Sequence, residues 1–249
     1  VAAVAVTCTV LVLRGWPGVL IGSGNLETEE YAFTNFTKVE ISSAFEFEIK
    51  QSSSYSINVT ADDNVIDYVQ VYKDGQTLKI RLWGIPSLRL VTLRASVTLP
   101  QLHGLTVSGA SRGTVSGFSS TEDLDITVSG ASRLTGDITA GDVEFGISGA
   151  STIQLEGSAD DIDANVSGAS HFNLDDFTVH NADVNFSGAS SGTVNLNGRL
   201  DANLSGASRL WYIGEPTMGN INTSGASTIS KKFTGVTECQ SHTQRHSSY

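Results

Sequence analysis

Apolar and polar residues alternate with a period of two along most of this chain, and no stretch keeps the 3.6-residue spacing of an amphipathic helix. Val39, Ile41, Phe45, Phe47 and Ile49 are separated by polar partners, the pattern of a strand with one buried face. Residues 69–72 and 77–82 carry the same pattern on either side of Lys73-Asp74-Gly75-Gln76, where Asp-Gly offers the positive φ of a hairpin turn. Asp62-Asp63-Asn64 is placed to cap a short helical turn through Val65, Ile66, Tyr68 and Val69. A further alternating pair runs through Leu88 and Leu90, then Val97 and Leu99.

From Ser108 the alternation becomes a repeat. The tetrapeptide Ser-Gly-Ala-Ser (SGAS) starts at Ser108, Ser129, Ser148, Ser167, Ser187, Ser205 and Ser224, in steps of 21, 19, 19, 20, 18 and 19 residues. Ser42-Ser43-Ala44-Phe45 reads as a degenerate earlier copy. Immediately before the copies stand Val107, Val128, Ile147, Val166, Phe186, Leu204 and Thr223. Two positions earlier stand Leu105, Ile126, Phe145, Ala164, Val184, Ala202 and Ile221, with polar residues between. After the motif the inward set resumes as Leu134, Ile153, Leu155, Phe172, Leu174, Val194 and Leu210.

A unit of this length cannot bury an apolar face alone, but coils stacked roughly 4.8 Å apart can. The pattern therefore predicts an all-β fold: a parallel β-helix or β-solenoid with about seven SGAS-marked coils, each of two or more short strands joined at the SGAS corner. In that corner Gly turns the chain where a Cβ clashes. The Ala is expected at a crowded inner position, and the two Ser hydroxyls are expected to bond along the stack and to nearby backbone. Residues 22–104 form the N-terminal β cap, with its hairpin, and the first coils; residues 105–232 form the repeats. Residues 233–249 have no apolar period and read as a disordered tail.

Residues 1–13, VAAVAVTCTVLVL, are almost wholly apolar and are followed by Arg14 and the turn-rich Gly15-Trp16-Pro17-Gly18. That length matches the apolar region of a secretory signal, or part of a membrane anchor, within a segment spanning residues 1–21. A buried core strand is the alternative, and lipidation at Cys8 is disfavoured by the bulk of Thr7 before it. Cys8 and Cys239 lie near opposite ends, without disulfide-framework or metal-ligand spacing. The chain carries a formal charge of −11 with few Lys and Arg, which opposes nucleic-acid binding.

Charge also picks out the candidate chemistry. Asp125, Glu144, Asp163, Asp183 and Asp201 stand four residues before successive SGAS copies, and Asn220 closes the series. Asn165, Asn185, Asn203 and Asn222 follow two residues later on the same outward face, as an Asn ladder would. Like charges opposite one another destabilise a sheet, so solvent, raised pKa values, the recurring Arg112, Arg133 and Arg209, or a cation must offset the column. Ca²⁺, which takes oxygen ligands, is the candidate cation; a solvated acidic face is the simpler reading. Trp211 and Tyr212 are the candidate ligand-binding aromatics, with cover of the C-terminal end of the stack by Trp211 as the alternative role. His103, His171, His180, His242 and His246 form no acid–base constellation, and the sequence holds no nucleophile or phosphate-loop motif.

With Gly22-Ser23-Gly24-Asn25, the stretch Ala61-Asp62-Asp63-Asn64 and the SGAS array, the chain resembles the family called putative auto-transporter adhesin, head GIN domain. The likeness covers about residues 22–232, and Gly219-Asn220-Ile221-Asn222 is its nearest approach to Gly-Ile-Asn. The resemblance implies a bacterial exported β-solenoid located in the cell envelope, at the surface or in the medium. The resemblance does not itself assign an activity, and three functions stay open. The first is a non-enzymatic adhesin-like module binding glycan or a surface protein, which touches the membrane only through its N-terminal segment. The second is a carbohydrate-active enzyme on the same scaffold. The third is a structural module that self-associates through its ends.

Overall fold

The computed structural model describes residues 19–84 and 87–233. The 1–13 apolar run, Cys8, Cys239, and the tail from residue 234 on lie outside the described residues. Alternation is converted directly into two facing sheets. In Leu124–Val128, for example, Leu124, Ile126 and Val128 are buried while Asp125 and Thr127 are exposed. Each repeat contributes one strand to a ten-stranded sheet and one to an eleven-stranded sheet, and the SGAS copy is the corner between them. Strands of successive coils pair in parallel, so equivalent residues stack. Leu105, Ile126, Phe145, Ala164, Val184 and Ala202 form one inward column in direct register. Buried residues from Phe36 to Leu210 make one continuous core.

The corner departs from expectation in one respect. Gly and Ala both sit exposed at its tip, and it is the second Ser that turns inward: Ser111, Ser132, Ser151, Ser170, Ser190 and Ser208 are buried. The inner position takes a small side chain, and from Ser151 to Ser208 its hydroxyl also donates at the bend, whereas the Ser111 and Ser132 hydroxyls are buried without a partner. Ser151 Oγ donates to Ser148 O at 2.9 Å and Ser170 Oγ to Ser167 O at 2.8 Å, satisfying a carbonyl at the bend. At the tip the ladder continues, since the N–H groups of Ala150, Ala169, Ala189 and Ala207 donate to the carbonyl of the glycine one coil earlier, at 2.7–2.8 Å.

The degenerate copy is a true corner. Ile41 pairs with Val107 and Glu46 with Arg112, so Ser42-Ser43-Ala44-Phe45 lies under the first SGAS, and Ala44 N–H donates to Gly109 O at 2.9 Å. Stack order and chain order differ here. The coil built from Lys38–Ile41 and Glu46–Gln51 lies between Thr77–Leu82 with Leu93–Leu99 on one side and Gly104–Val107 with Arg112–Ser119 on the other.

Antiparallel strands close this end. Val69–Asp74 and Thr77–Leu82 form the expected hairpin, and Ser56–Asp62 and Leu26–Glu30 extend the other sheet. Leu88–Arg89 does not pair with Leu93–Leu99 but with Leu20–Ile21. The helical turn is the 3-10 segment Ile66–Tyr68, and Val65 precedes it without a side-chain cap. Asp62 is instead buried in the cap, where its carboxylate accepts the N–H of Gly24 at 2.7 Å and of Thr92 at 2.6 Å. Ser23 Oγ donates to Asp63 at 2.5 Å, and Asn64 Nδ2 donates to Ile21 O at 2.9 Å. A Cβ on Gly22 would lie 2.7 Å from the Asp62 carboxylate. The two short motifs around Gly22 and Asp62 are thus the two halves of one clasp.

Candidate functional site

The outward face of the ten-stranded sheet gathers the predicted polar residues. Asp125, Glu144, Asp163, Asp183 and Asp201 stand in direct cross-strand register on five successive strands. Arg112, Arg133 and Arg209 do not reach them, because each opens a strand of the other sheet. Different cations hold the two ends of the column. Gly104 lies between Lys38 and Asp125 in the register and has no side chain, so Lys38 Nζ reaches across it to Asp125 Oδ2 at 3.1 Å. At the far end Arg199 grips Asp201 through Nε at 2.5 Å and Nη2 at 2.9 Å, while Asn220 N–H donates to the same carboxylate at 2.7 Å. The three central acids, Glu144, Asp163 and Asp183, form no salt bridge with any described residue.

Electrostatics follow that division. The Arg199 guanidinium, then the Asn220 amide, hold the Asp201 carboxyl down at about 2. Asp201 therefore contributes stability above the ordinary carboxylate range, and that contribution is lost as pH falls through about 2. Asp183 is shifted up, first by burial and then by the charges of Asp163 and Asp201. Its ionised form opposes folding above its folded pKa, and the penalty vanishes below the ordinary value. Asp183→Asn should accordingly raise stability at neutral pH by about 0.2–1 kcal/mol, the scale of an exposed cross-strand charge pair. Thermal unfolding at neutral pH and at about pH 3 checks this: the gain belongs to the neutral sample, and equal midpoints there would mean solvent fully screens the column.

A second line of groups, unrecognised from sequence, borders the first. Asp123, Asp142, Asp161 and Asn181 each accept, through Oδ1, the backbone N–H of their counterpart in the next coil, at 3.1, 3.1, 2.9 and 2.8 Å, the last from Arg199. Their spacing of 19, 19, 20 and 18 residues matches the SGAS steps and was the available signal. Asp123, Asp125, Asp142, Glu144, Asp161 and Asp163 line an open groove of about 400 Å³. The carboxylates run in file along it. Among the described residues no three or more His, Cys, Asp or Glu side chains gather around one point, as the oxygen shell of Ca²⁺ needs.

Asn165, Asn185, Asn203 and Asn222 are in register, but their amides do not bond one another; Asn165 Nδ2 donates instead to Asp163 at 3.0 Å. With Ser167, Ser187 and Ser205 the first three line a smaller hollow of about 190 Å³. Trp211 and Tyr212 are half-buried, and Tyr212 packs against the core. Trp211 does not end the stack, since its strand pairs with Thr228–Lys231. In the cap the aromatic side chain most open to solvent is Trp83, one residue beyond the strand Thr77–Leu82.

The family model for putative auto-transporter adhesin, head GIN domain, matches residues 35–216. No curated protein matches the chain in sequence. Among solved structures, a putative adhesin from Bacteroides fragilis superposes with a TM-score of 0.80 at 21% identity, covering 86% of this chain and 100% of the other. A putative lipid binding protein from Parabacteroides distasonis gives 0.70 at 22%, covering 87% and 100%. A putative adhesin from Parabacteroides merdae gives 0.67 at 18%, covering 86% and 99%. At these identities the likeness is one of fold.

Proposed function

Because the chain belongs to the putative auto-transporter adhesin, head GIN domain family, we propose that it is a non-catalytic, extracytoplasmic adhesin-like module that uses the outward face of the ten-stranded sheet to bind a basic segment of a surface protein. The observation that carries this reading is the unneutralised run Glu144, Asp163 and Asp183, flanked by acids whose charges are already engaged by Lys38 and Arg199. A partner's Lys or Arg groups spaced along the stack relieve that repulsion, so the face favours cations it does not itself supply. Charge of this kind mainly sets encounter rate and orientation, and it weakens with salt.

A glycan is the second reading, favoured by the Asn and Ser rows around the 190 Å³ hollow, which present hydrogen-bonding groups suited to sugar hydroxyls. The two part experimentally. The triple variant Glu144→Gln, Asp163→Asn, Asp183→Asn should lose at least about tenfold in affinity for basic peptides or proteins and lose most of the salt dependence. Glycan-array binding that survives the triple variant but falls with Asn185→Ala would transfer the site to the Asn row. Cleavage products after incubation with polysaccharides would overturn the non-catalytic reading.

A further inference from the structure

The large apolar side chains most exposed among the described residues are Val19, Ile21, Leu26, Tyr68, Trp83, Leu90, Met218 and Phe233. Four of these eight belong to the cap, Val19 and Ile21 stand just before it on the segment that pairs with Leu88–Arg89, the last two lie at the opposite end, and the long stretch between Leu90 and Met218 contributes none. Scattered exposed apolar residues are ordinary on a soluble protein; concentration at one end marks a contact surface. From this distribution we propose that the cap end of the solenoid seats on a phospholipid bilayer, with the stack leading away from the membrane and the acidic face left free at its side.

Three further observations support the bilayer as occupant. The first is rigidity. Val19 and Ile21 flank Leu20, whose strand pairs with Leu88–Arg89, and Gly22 N–H donates to Arg89 O at 3.2 Å. The Asp62 clasp then locks this segment to the cap through Gly24 and Thr92. Leu90 is held there with φ of 52° and is 80% exposed, a left-handed conformation costing about 1–2 kcal/mol for a residue with a Cβ, with no burial in return.

The second observation is chemistry. Trp83 is 62% exposed, its backbone N–H donates to Tyr68 O at 2.9 Å, and the Arg81 guanidinium lies over both the Trp83 and Tyr72 rings at 5.1 and 5.2 Å. An aromatic ring beside a cation is the pairing that settles at the boundary between acyl chains and headgroups. Arg89 is also exposed beside Leu90. Asp63 and Asp67 belong to the same cap, so apolar insertion, rather than attraction to anionic lipid, must supply the affinity.

The third is chain order. The apolar run 1–13 ends shortly before Val19. Five or six extended residues span at most about 20 Å, so a bilayer holding that run has the cap as its nearest folded neighbour. The proposal rests on the extracytoplasmic reading above but not on the ligand of the acidic face.

The test uses the full chain with Cys8→Ser and Cys239→Ser, carrying an environment-sensitive fluorophore at Leu90→Cys or, as control, at Arg133→Cys in the middle of the stack. With phosphatidylcholine vesicles, the label at position 90 should shift to the blue and be quenched at least about twofold by lipid-borne nitroxide, while the label at 133 does neither. Adding Ile21→Ser and Trp83→Ser should remove the shift without moving the midpoint of thermal unfolding. A label at 90 that stays as wet as the control, even when the chain floats with the vesicles, overturns the proposal: the apolar run alone then anchors. A blue shift without vesicles that grows with protein concentration also overturns it, by showing that a second copy covers the patch. Either outcome leaves peptide or glycan binding by the acidic face to be judged separately.

Discussion

Gly168→Ala should cost about 3–5 kcal/mol in denaturant unfolding, a large part of the stability of an ordinary domain, whereas Gly24→Ala should cost only about 1 kcal/mol. Both glycines have positive φ, 76° and 85°. What separates them is the stack. A Cβ on Gly168 would lie 2.3 Å from the carbonyl oxygen of Gly149, the oxygen that accepts the Ala169 N–H at 2.8 Å. The alanine must push the two coils apart, so it adds the loss of ladder bonds at the corner to the left-handed penalty. A Cβ on Gly24 meets nothing within 4 Å, leaving the conformational term alone. Because neighbouring coils share the corner, the damage should spread to Gly188, whose own Cβ position is 2.6 Å from Gly168 O. Equal losses for the two variants would show that φ alone, not coil spacing, selects glycine in SGAS.

That contrast also shows what the sequence made legible. A period of two sorts residues unambiguously once the strands are short and both sheets face one core, so the columns through Ile126 and Asp125 were readable in full. Corner roles were not, because Gly, Ala and Ser are all small and composition does not say which one turns inward; Ser170 is buried and bonds the carbonyl at the bend, while Ala169 beside it is exposed. Stack order at the cap was hidden for a related reason. Between residues 52 and 103 no SGAS marks the coil, and only parallel pairing reveals that Leu78 lies next to Val39, which in turn lies next to Leu105. The engaged ends of the acidic column depended on long-range partners: Lys38 is 87 residues from Asp125. Exposure of the aromatics was equally non-local. Tyr212 packs against the core from the strand that buries Leu210, while Trp83 lies just past Leu82, the last ladder pair of its strand, and stays open to solvent.

Phe172→Ala tests the ring contacts within the core rather than the inward face that the alignment already assigns, and it should lower stability by about 3–5 kcal/mol, close to the Gly168 loss but of different origin. Phe172 is fully buried, with Phe145 edge-on at 5.0 Å and Phe186 at 6.2 Å, both projecting from the opposite sheet. Its strand neighbour in the next coil is Gly192, an inward position with no side chain. The space is filled by the Phe186 ring, since a Cβ on Gly192 would lie 2.8 Å from that ring. Gly113 and Phe47 repeat the device nearer the cap: they are register partners, and a Cβ on Gly113 would lie 2.5 Å from the Phe47 ring. Large and small residues are therefore matched across coils, and the Phe145, Phe172 and Phe186 rings rest on one another in series. Removing Phe172 takes away the contact that keeps the Phe186 ring over Gly192, so the cavity is bounded on two sides by rings fixed in stacked strands and can collapse little. Phe172→Leu, which refills most of the volume, should recover more than half of the loss; if leucine and alanine destabilise equally, the edge-on ring contacts rather than the filled volume hold this layer together.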